Sequence, residues 1–122
     1  MNFIVVGCGR VGAELSYHLF KSGHHIVIID SNKETFNRLH PDFRGRTLEG
    51  EVLAETVLER AGIREADGLA AVTNSDTLNV AAAHIARTFY NLSNVVARNY
   101  DPNLRLVIEA FGLQTVSSTF WG

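Results

Sequence analysis

The sequence predicts an α/β protein built on a doubly wound, six-stranded parallel sheet with helices on both faces. Three observations lead there. Short apolar runs alternate with helically spaced segments from end to end. The runs are apolar at consecutive positions, as in strands buried on both sides. The connections are short, which suits strand-helix-strand units with right-handed crossovers.

The elements follow in order. Phe3 to Val6 is an apolar run that stops at glycine and reads as the first buried strand. Arg10 to Ser22 has helical spacing, with Val11, Leu15, Leu19 and Phe20 on one broad face and Gly23 as a left-handed stop. His25 to Ile29, ending at Asp30, is the second strand. Ser31 or Asn32 can cap a short helix reaching about Leu39, with Phe36 and Leu39 inward, and Pro41 blocks its continuation. Arg44 to Leu48 reads as the third strand. Glu51 to Ala61 reads as a helix with Leu53, Val57 and Leu58 inward and Gly62 at its end. Leu69 to Val72 is the fourth strand, and Thr73 to Asp76 is a polar turn. A helix to about Tyr90 follows, with Leu78, Ala81, Ala82, Ile85, Ala86 and Phe89 as its packed stripe. Asn94 to Arg98 is the fifth strand. Asp101-Pro102 signals a helix over Leu104 to Phe111, stopped by Gly112, before a short extended piece at Thr115 to Ser117. The aromatic pair Phe120-Trp121 packs back onto the domain or meets a neighbour.

With 122 residues, 46% apolar and 20% charged, the chain fits one globular domain, residues 1–122, with a real core. Its formal charge of -2 gives no global field for nucleic acid, so a bound anion must be held by local geometry. One cysteine, Cys8, excludes an internal disulfide and suits a reducing cytoplasmic setting. No apolar run is long enough to cross a bilayer.

Gly7-Cys8-Gly9-Arg10-Val11-Gly12 has the GxGxxG spacing, and its context is complete: it follows a strand, opens a helix and precedes a second strand ending in an acid. This makes the fold Rossmann-type, with strand order 3-2-1-4-5-6. Gly7 permits the tight turn, Gly9 lets backbone approach a pyrophosphate, and Gly12 lets the helix pack close to the strand. Free amides of the first helical turn point at the phosphates. Asp30, 18 residues after Gly12, can accept hydrogen bonds from both adenosine ribose hydroxyls and would repel a 2′-phosphate, which favours NAD over NADP. Arg10 in the turn is a candidate phosphate contact. Arg98, followed by Asn99 and Tyr100, is a candidate anion contact at the end of the fifth strand. Thr73, Asn74, Ser75 and Asp76 occupy the carboxyl edge of the sheet, where ligands bind in this fold class. Lys33 and Arg38 can support a phosphate loosely or stay solvated. Cys8 reads as a buried filler, although its place near a helix N-terminus can lower a thiol pKa.

Catalytic chemistry is harder to find. His18, His24, His25, His40 and His84 have no metal-like spacing, and there is neither a cysteine cluster nor a Tyr-x-x-x-Lys pair. His84 reads as a packing or subunit-facing residue, and Glu109 is an isolated carboxylate. The alternative, the cofactor-binding half of an NAD-dependent oxidoreductase, would need a substrate domain that 122 residues do not supply.

These residues together resemble the nucleotide-binding regulatory domain of potassium transport proteins, the TrkA-N, KTN or RCK N-terminal family. The resemblance is carried by the glycine turn, by Gly23 to Asp30, by Leu58-Glu59-Arg60-Ala61-Gly62-Ile63 and by Ala66-Asp67. Val72-Thr73-Asn74-Ser75-Asp76-Thr77-Leu78-Asn79 and Val96-Ala97-Arg98 complete it. It implies a non-enzymatic cytoplasmic domain that binds NAD(H), ATP, ADP or AMP. Such a domain forms a homodimer, within a ring in some assemblies, and regulates a potassium channel or transporter at the inner face of the membrane. It also implies an adenine-side loop, usually Gly-Asp, which here is Gly50-Glu51. The resulting ligand set is Gly7, Gly9, Arg10, Val11, Gly12, Asp30, Ser31, Glu51, Thr73, Asn74, Asp76, Asn79 and Arg98, with Asp76 and Asn79 at the ligand edge or in its supporting shell. Many family members add a small C-terminal ligand-binding domain after a swapped crossover helix; residues 1–122 contain neither.

Overall fold

The computed structural model describes residues 1–101 and 114–117. Six parallel strands form one sheet in the order β3-β2-β1-β4-β5-β6: β1 (Asn2–Val6), β2 (His25–Asp30), β3 (Arg46–Glu49), β4 (Gly68–Ala71), β5 (Asn94–Asn99) and β6 (Gln114–Ser117). β1 is central, pairing with β2 from Asn2↔His25 to Val6↔Ile29 and with β4 from Phe3↔Gly68 to Val6↔Ala71. The strand order changes direction beside β1, and this opens a crevice at the carboxyl ends of β1 and β4.

Alternation along the strands divides the core. Val5, Ile26 and Ile28 face Val11 and Ala13 of α1 (Arg10–Lys21), with Phe36 of a 3-10 turn (Lys33–Arg38) packed alongside. Ile4, Val6 and Ile29 face the other way, onto Val57 and Leu58 of α2 (Glu55–Arg60) and Ala82, Ala83 and Ala86 of α3 (Asp76–Thr88). Helices therefore pack on both faces of the sheet. Asn32 caps the 3-10 turn by accepting from the Glu34 amide at 3.1 Å, while Ser75 caps α3 through the Leu78 amide at 3.3 Å. Gly23 and Gly62 end their helical segments at φ 94° and 86°.

Two expected core positions are not in the core. The helix expected from Glu51 starts at Glu55, because Glu51 to Ala54 forms a turn closed by Ala54 N–H to Glu51 O at 3.0 Å. Val52 takes the buried place and Leu53 is left 38% exposed. Phe89 is 74% exposed, because α3 ends at Thr88 and Asn91, at φ 57°, turns the chain back. Leu92 then buries itself and donates its amide to Ala86 O at 3.1 Å. Phe89→Ser should therefore change urea-unfolding stability by no more than about 0.5 kcal/mol; a loss near 2 kcal/mol would mean the ring is packed. The helix expected over Leu104 to Phe111 with its Gly112 stop, Glu109 and the Phe120-Trp121 pair lie outside the described residues. A short 3-10 turn at Ile63–Glu65 was not anticipated; it has too few residues to show a period.

Candidate nucleotide site

β1 runs into Gly7, whose φ of 103° suits glycine. Its amide donates to Ile29 O at 2.7 Å. A Cβ on Gly7 would lie 2.9 Å from Thr73 Cγ2, so the turn passes directly against the loop after β4. A Cβ on Gly12 would lie 1.8 Å from the Gly7 carbonyl oxygen, so this position holds α1 against the turn. Gly9 differs: nothing lies within 4 Å of where its Cβ would project. It caps α1 in an extended conformation without a side chain. The α1 ladder opens with the Ala13 N–H donating to Gly9 O at 2.9 Å. The amides of Arg10, Val11 and Gly12 thus belong to the first turn, where no preceding helical carbonyl can accept them.

Asp30 ends β2 half-buried. Its Oδ2 accepts the Cys8 amide at 2.8 Å and its Oδ1 accepts the Asn32 amide at 2.9 Å. These bonds aim the carboxylate across the turn, and a carboxylate oxygen has capacity for a further donor. Cys8 is buried beneath the turn, with Sγ 3.4 Å from Thr35 O. Burial, and next the Asp30 charge, push its thiol from 9.0 up to about 11. Proximity to the helix N-terminus does not activate it. Its folded pKa exceeds the unfolded value, so its contribution to stability is complete below about pH 9 and is lost as pH rises from 9 towards 11. At pH 8 its thiolate population should be ~100-fold lower in the native protein than in urea. Iodoacetamide labelling followed by intact mass should show a correspondingly slow native reaction; equal rates would contradict this.

The far wall comes from β4 and β5. Thr73 follows β4, and Arg98 lies near the end of β5 with its guanidinium carbon 4.1 Å from the centre of the Tyr100 ring, a cation-π distance. Arg98 Nε is buried with no hydrogen-bond partner. Asp76 accepts the Tyr100 amide at 2.7 Å and the Asp101 amide at 2.9 Å, fixing the exit of β5 against α3.

Gly7, Gly9, Arg10, Val11, Asp30, Thr73, Asn74 and Arg98 line a single cleft of about 470 Å³, large enough for a nucleotide. Gly12 shapes it from below, and Asp76 and Asn79 brace it from behind. Ser31 and Glu51 are exposed and lie outside its lining. Val72, Thr35, Arg38 and Tyr100 complete the wall. Arg38 was already a candidate for loose phosphate support, and Tyr100 is the residue directly after β5. Thr35 carried none, because its place depends on the 3-10 turn folding back over Cys8. Three arginines face one carboxylate, so the lining favours an anion with a polar, hydroxyl-bearing end. Among the described residues, no group of three His, Cys, Asp or Glu side chains is placed to hold a metal ion, and no helix is long and apolar enough to cross a membrane.

Comparison with known proteins agrees with this geometry. The chain is 39% identical over 121 residues to the Trk system potassium uptake protein TrkA of Streptomyces coelicolor, covering 99% of this chain and 54% of that protein. It therefore spans about half the length of that relative. Its fold matches the Kef C-terminal domain of Shewanella denitrificans in AMP-bound form, with a TM-score of 0.85 at 22% identity over 98% of this chain and 73% of the other. It also matches the GsuK channel bound to NAD, with a TM-score of 0.80 at 23% identity over 95% and 20% of the two chains. The profile of the TrkA-N domain matches residues 3–119, and with the glycine turn, Asp30 and the β4 edge all in place the chain belongs to the TrkA-N domain family.

Proposed function

We propose that this chain is a nucleotide-sensing regulatory domain that binds NAD(H) or an adenine nucleotide and controls a potassium channel or transporter. One observation carries the reading: Gly9, Arg10 and Val11 at the start of α1, Asp30 at the end of β2 and Arg98 near the end of β5 line one cleft. The adenosine ribose sits on Asp30. The phosphates lie over the Gly9-Arg10-Val11 backbone, with Arg10 alongside, and the second phosphate or ribose reaches Thr73, Asn74 and Arg98. Asp30 disfavours a ribose 2′-phosphate by charge and by lack of a donor.

The domain senses rather than catalyses. Its only cysteine is buried and held protonated, and Asp30 orients the turn through the Cys8 and Asn32 amides while its remaining acceptor capacity serves the ribose. Control follows if the ligand binds one arrangement of a homodimer, or of a ring built from it, better than another; the difference in affinity then biases a membrane partner. The name of the Streptomyces relative supports potassium uptake as the process, and the AMP-bound and NAD-bound chains of like fold support the ligand class. On this reading the domain works at the cytoplasmic face of the membrane.

Calorimetry against NAD⁺, NADH, NADPH, ATP, ADP and AMP tests the proposal. At least one ligand with a free ribose 2′-hydroxyl should bind, and NADPH should bind at least about tenfold more weakly than NADH, a difference of ~1.4 kcal/mol. No binding by any of the six would overturn it.

A further inference from the structure

The last registered pair between β4 and β5 is Ala71↔Ala97. Beyond it lie the two residues that form the far wall, Thr73 and Arg98, and strand pairing no longer holds them together. Asn79, inside α3 and fully buried, bridges the gap. Its Oδ1 accepts from the Thr73 amide at 2.8 Å and the Thr73 hydroxyl at 2.6 Å. Its Nδ2 donates to Thr73 O at 2.9 Å and Arg98 O at 3.0 Å. Both donors and both acceptor positions of the side chain are used. One amide thus replaces the missing rungs of the ladder at the point where the sheet opens into the cleft.

We propose that Asn79 is the positioning residue for the phosphate end of the cleft: it holds Thr73 and Arg98 as one wall, so that the cleft distinguishes a phosphorylated ligand from the bare nucleoside. This rests on the cleft being the nucleotide site. Asn79 touches no ligand itself and does not line the cleft. Its effect passes through Arg98, whose side chain packs on Tyr100 and whose buried Nε makes no hydrogen bond within the protein. The Tyr100 backbone is in turn held by Asp76, one turn before Asn79 on the same helix. α3 therefore fixes both the backbone carbonyl of Arg98 and the ring against which its guanidinium lies. A binding group is only as well placed as the residues that support it. Asp30, at the other end, is oriented by the Cys8 and Asn32 amides and shares no hydrogen bond with this bracket.

The experiment compares adenosine, which reaches only the Asp30 end, with ADP, which reaches both. Asn79→Asp keeps the acceptor for Thr73 but turns an oxygen towards the Thr73 and Arg98 carbonyls. Calorimetry on the whole chain should show ADP affinity falling about tenfold while adenosine affinity stays within about threefold. Circular dichroism would establish that the variant is folded. If it does not fold, the wild-type protein decides: in a ¹⁵N-¹H spectrum the Asn79 side-chain amide should shift on ADP binding and stay in place on adenosine binding. Equal losses of both ligands, an unchanged ADP-to-adenosine ratio, or an Asn79 amide indifferent to ADP would each overturn the role of Asn79 while leaving the cleft intact. Failure of the wild-type protein to bind either ligand would instead overturn the nucleotide reading, and this role with it.

Discussion

Gly12→Ala should destabilise the domain by about 2 kcal/mol and abolish nucleotide binding, whereas Gly9→Ala should abolish binding and leave stability within about 0.5 kcal/mol of the parent. The two glycines are three residues apart and do different work. At Gly12 the new methyl would lie 1.8 Å from the Gly7 carbonyl oxygen, a backbone atom that cannot move without the whole turn. Such overpacking costs about 3 kcal/mol, offset by about 1 from the better helix propensity of alanine. At Gly9 the backbone is at φ -80°, which alanine adopts freely, and the methyl meets nothing within 4 Å. It would stand in open space at the cleft lining, where the proposed pose brings a phosphate to the amides. Urea unfolding and calorimetry on the two variants would separate these effects. Unchanged ADP affinity in a folded Gly9→Ala protein would mean that the phosphates do not lie over this turn.

Asp30→Ala should weaken every adenosine ligand about a hundredfold. Two hydrogen bonds from ribose hydroxyls to a carboxylate contribute about 1.5 kcal/mol each, and ~3 kcal/mol corresponds to that factor. Part of the loss reaches the ligand indirectly, because Asp30 also holds the Cys8 amide at 2.8 Å and removing the acceptor loosens the turn. Asp30→Asn isolates the charge: the side chain keeps its shape and one acceptor oxygen, and the preference for NADH over NADPH should shrink. Calorimetry with NADH, NADPH and adenosine measures all three effects. Full adenosine affinity in a folded Asp30→Ala protein would remove the ribose from this strand end.

The sheet was legible in the sequence because its strands are apolar on both faces and stop at glycine or at polar turns, as Phe3 to Val6 stops at Gly7. The near wall was legible for a related reason: a tight turn, a close backbone approach and a helix start each demand glycine, and the spacing of Gly7, Gly9 and Gly12 records all three. Leu53 and Phe89 fall on the apolar period of a helix yet stay exposed, because periodicity assumes that a helix continues. The turn at Glu51 to Ala54 and the reversal at Asn91 depend on which neighbour, Val52 or Leu92, reaches the core first. Thr35 joins the cleft through the fold of a 3-10 turn, whose short length leaves no period to read. Asn79 could be associated with the ligand edge only through resemblance. Its bonds to Thr73 and Arg98 cross from a helix to two strand ends, and local sequence does not encode them.

The place of β1 in the sheet has a kinetic consequence. β1 pairs with β4 across more than sixty intervening residues, the widest sequence separation of any strand pair in the sheet, and closing so long a loop carries the largest entropy cost among those pairs. The cleft draws one wall from each side of that pairing, with Gly7 pressed against Thr73. A chain that has folded only its first strand-helix-strand unit therefore has half a site. Bound nucleotide should act as a staple across the seam of longest sequence separation, lengthening the lifetime of the native state more than it speeds its formation.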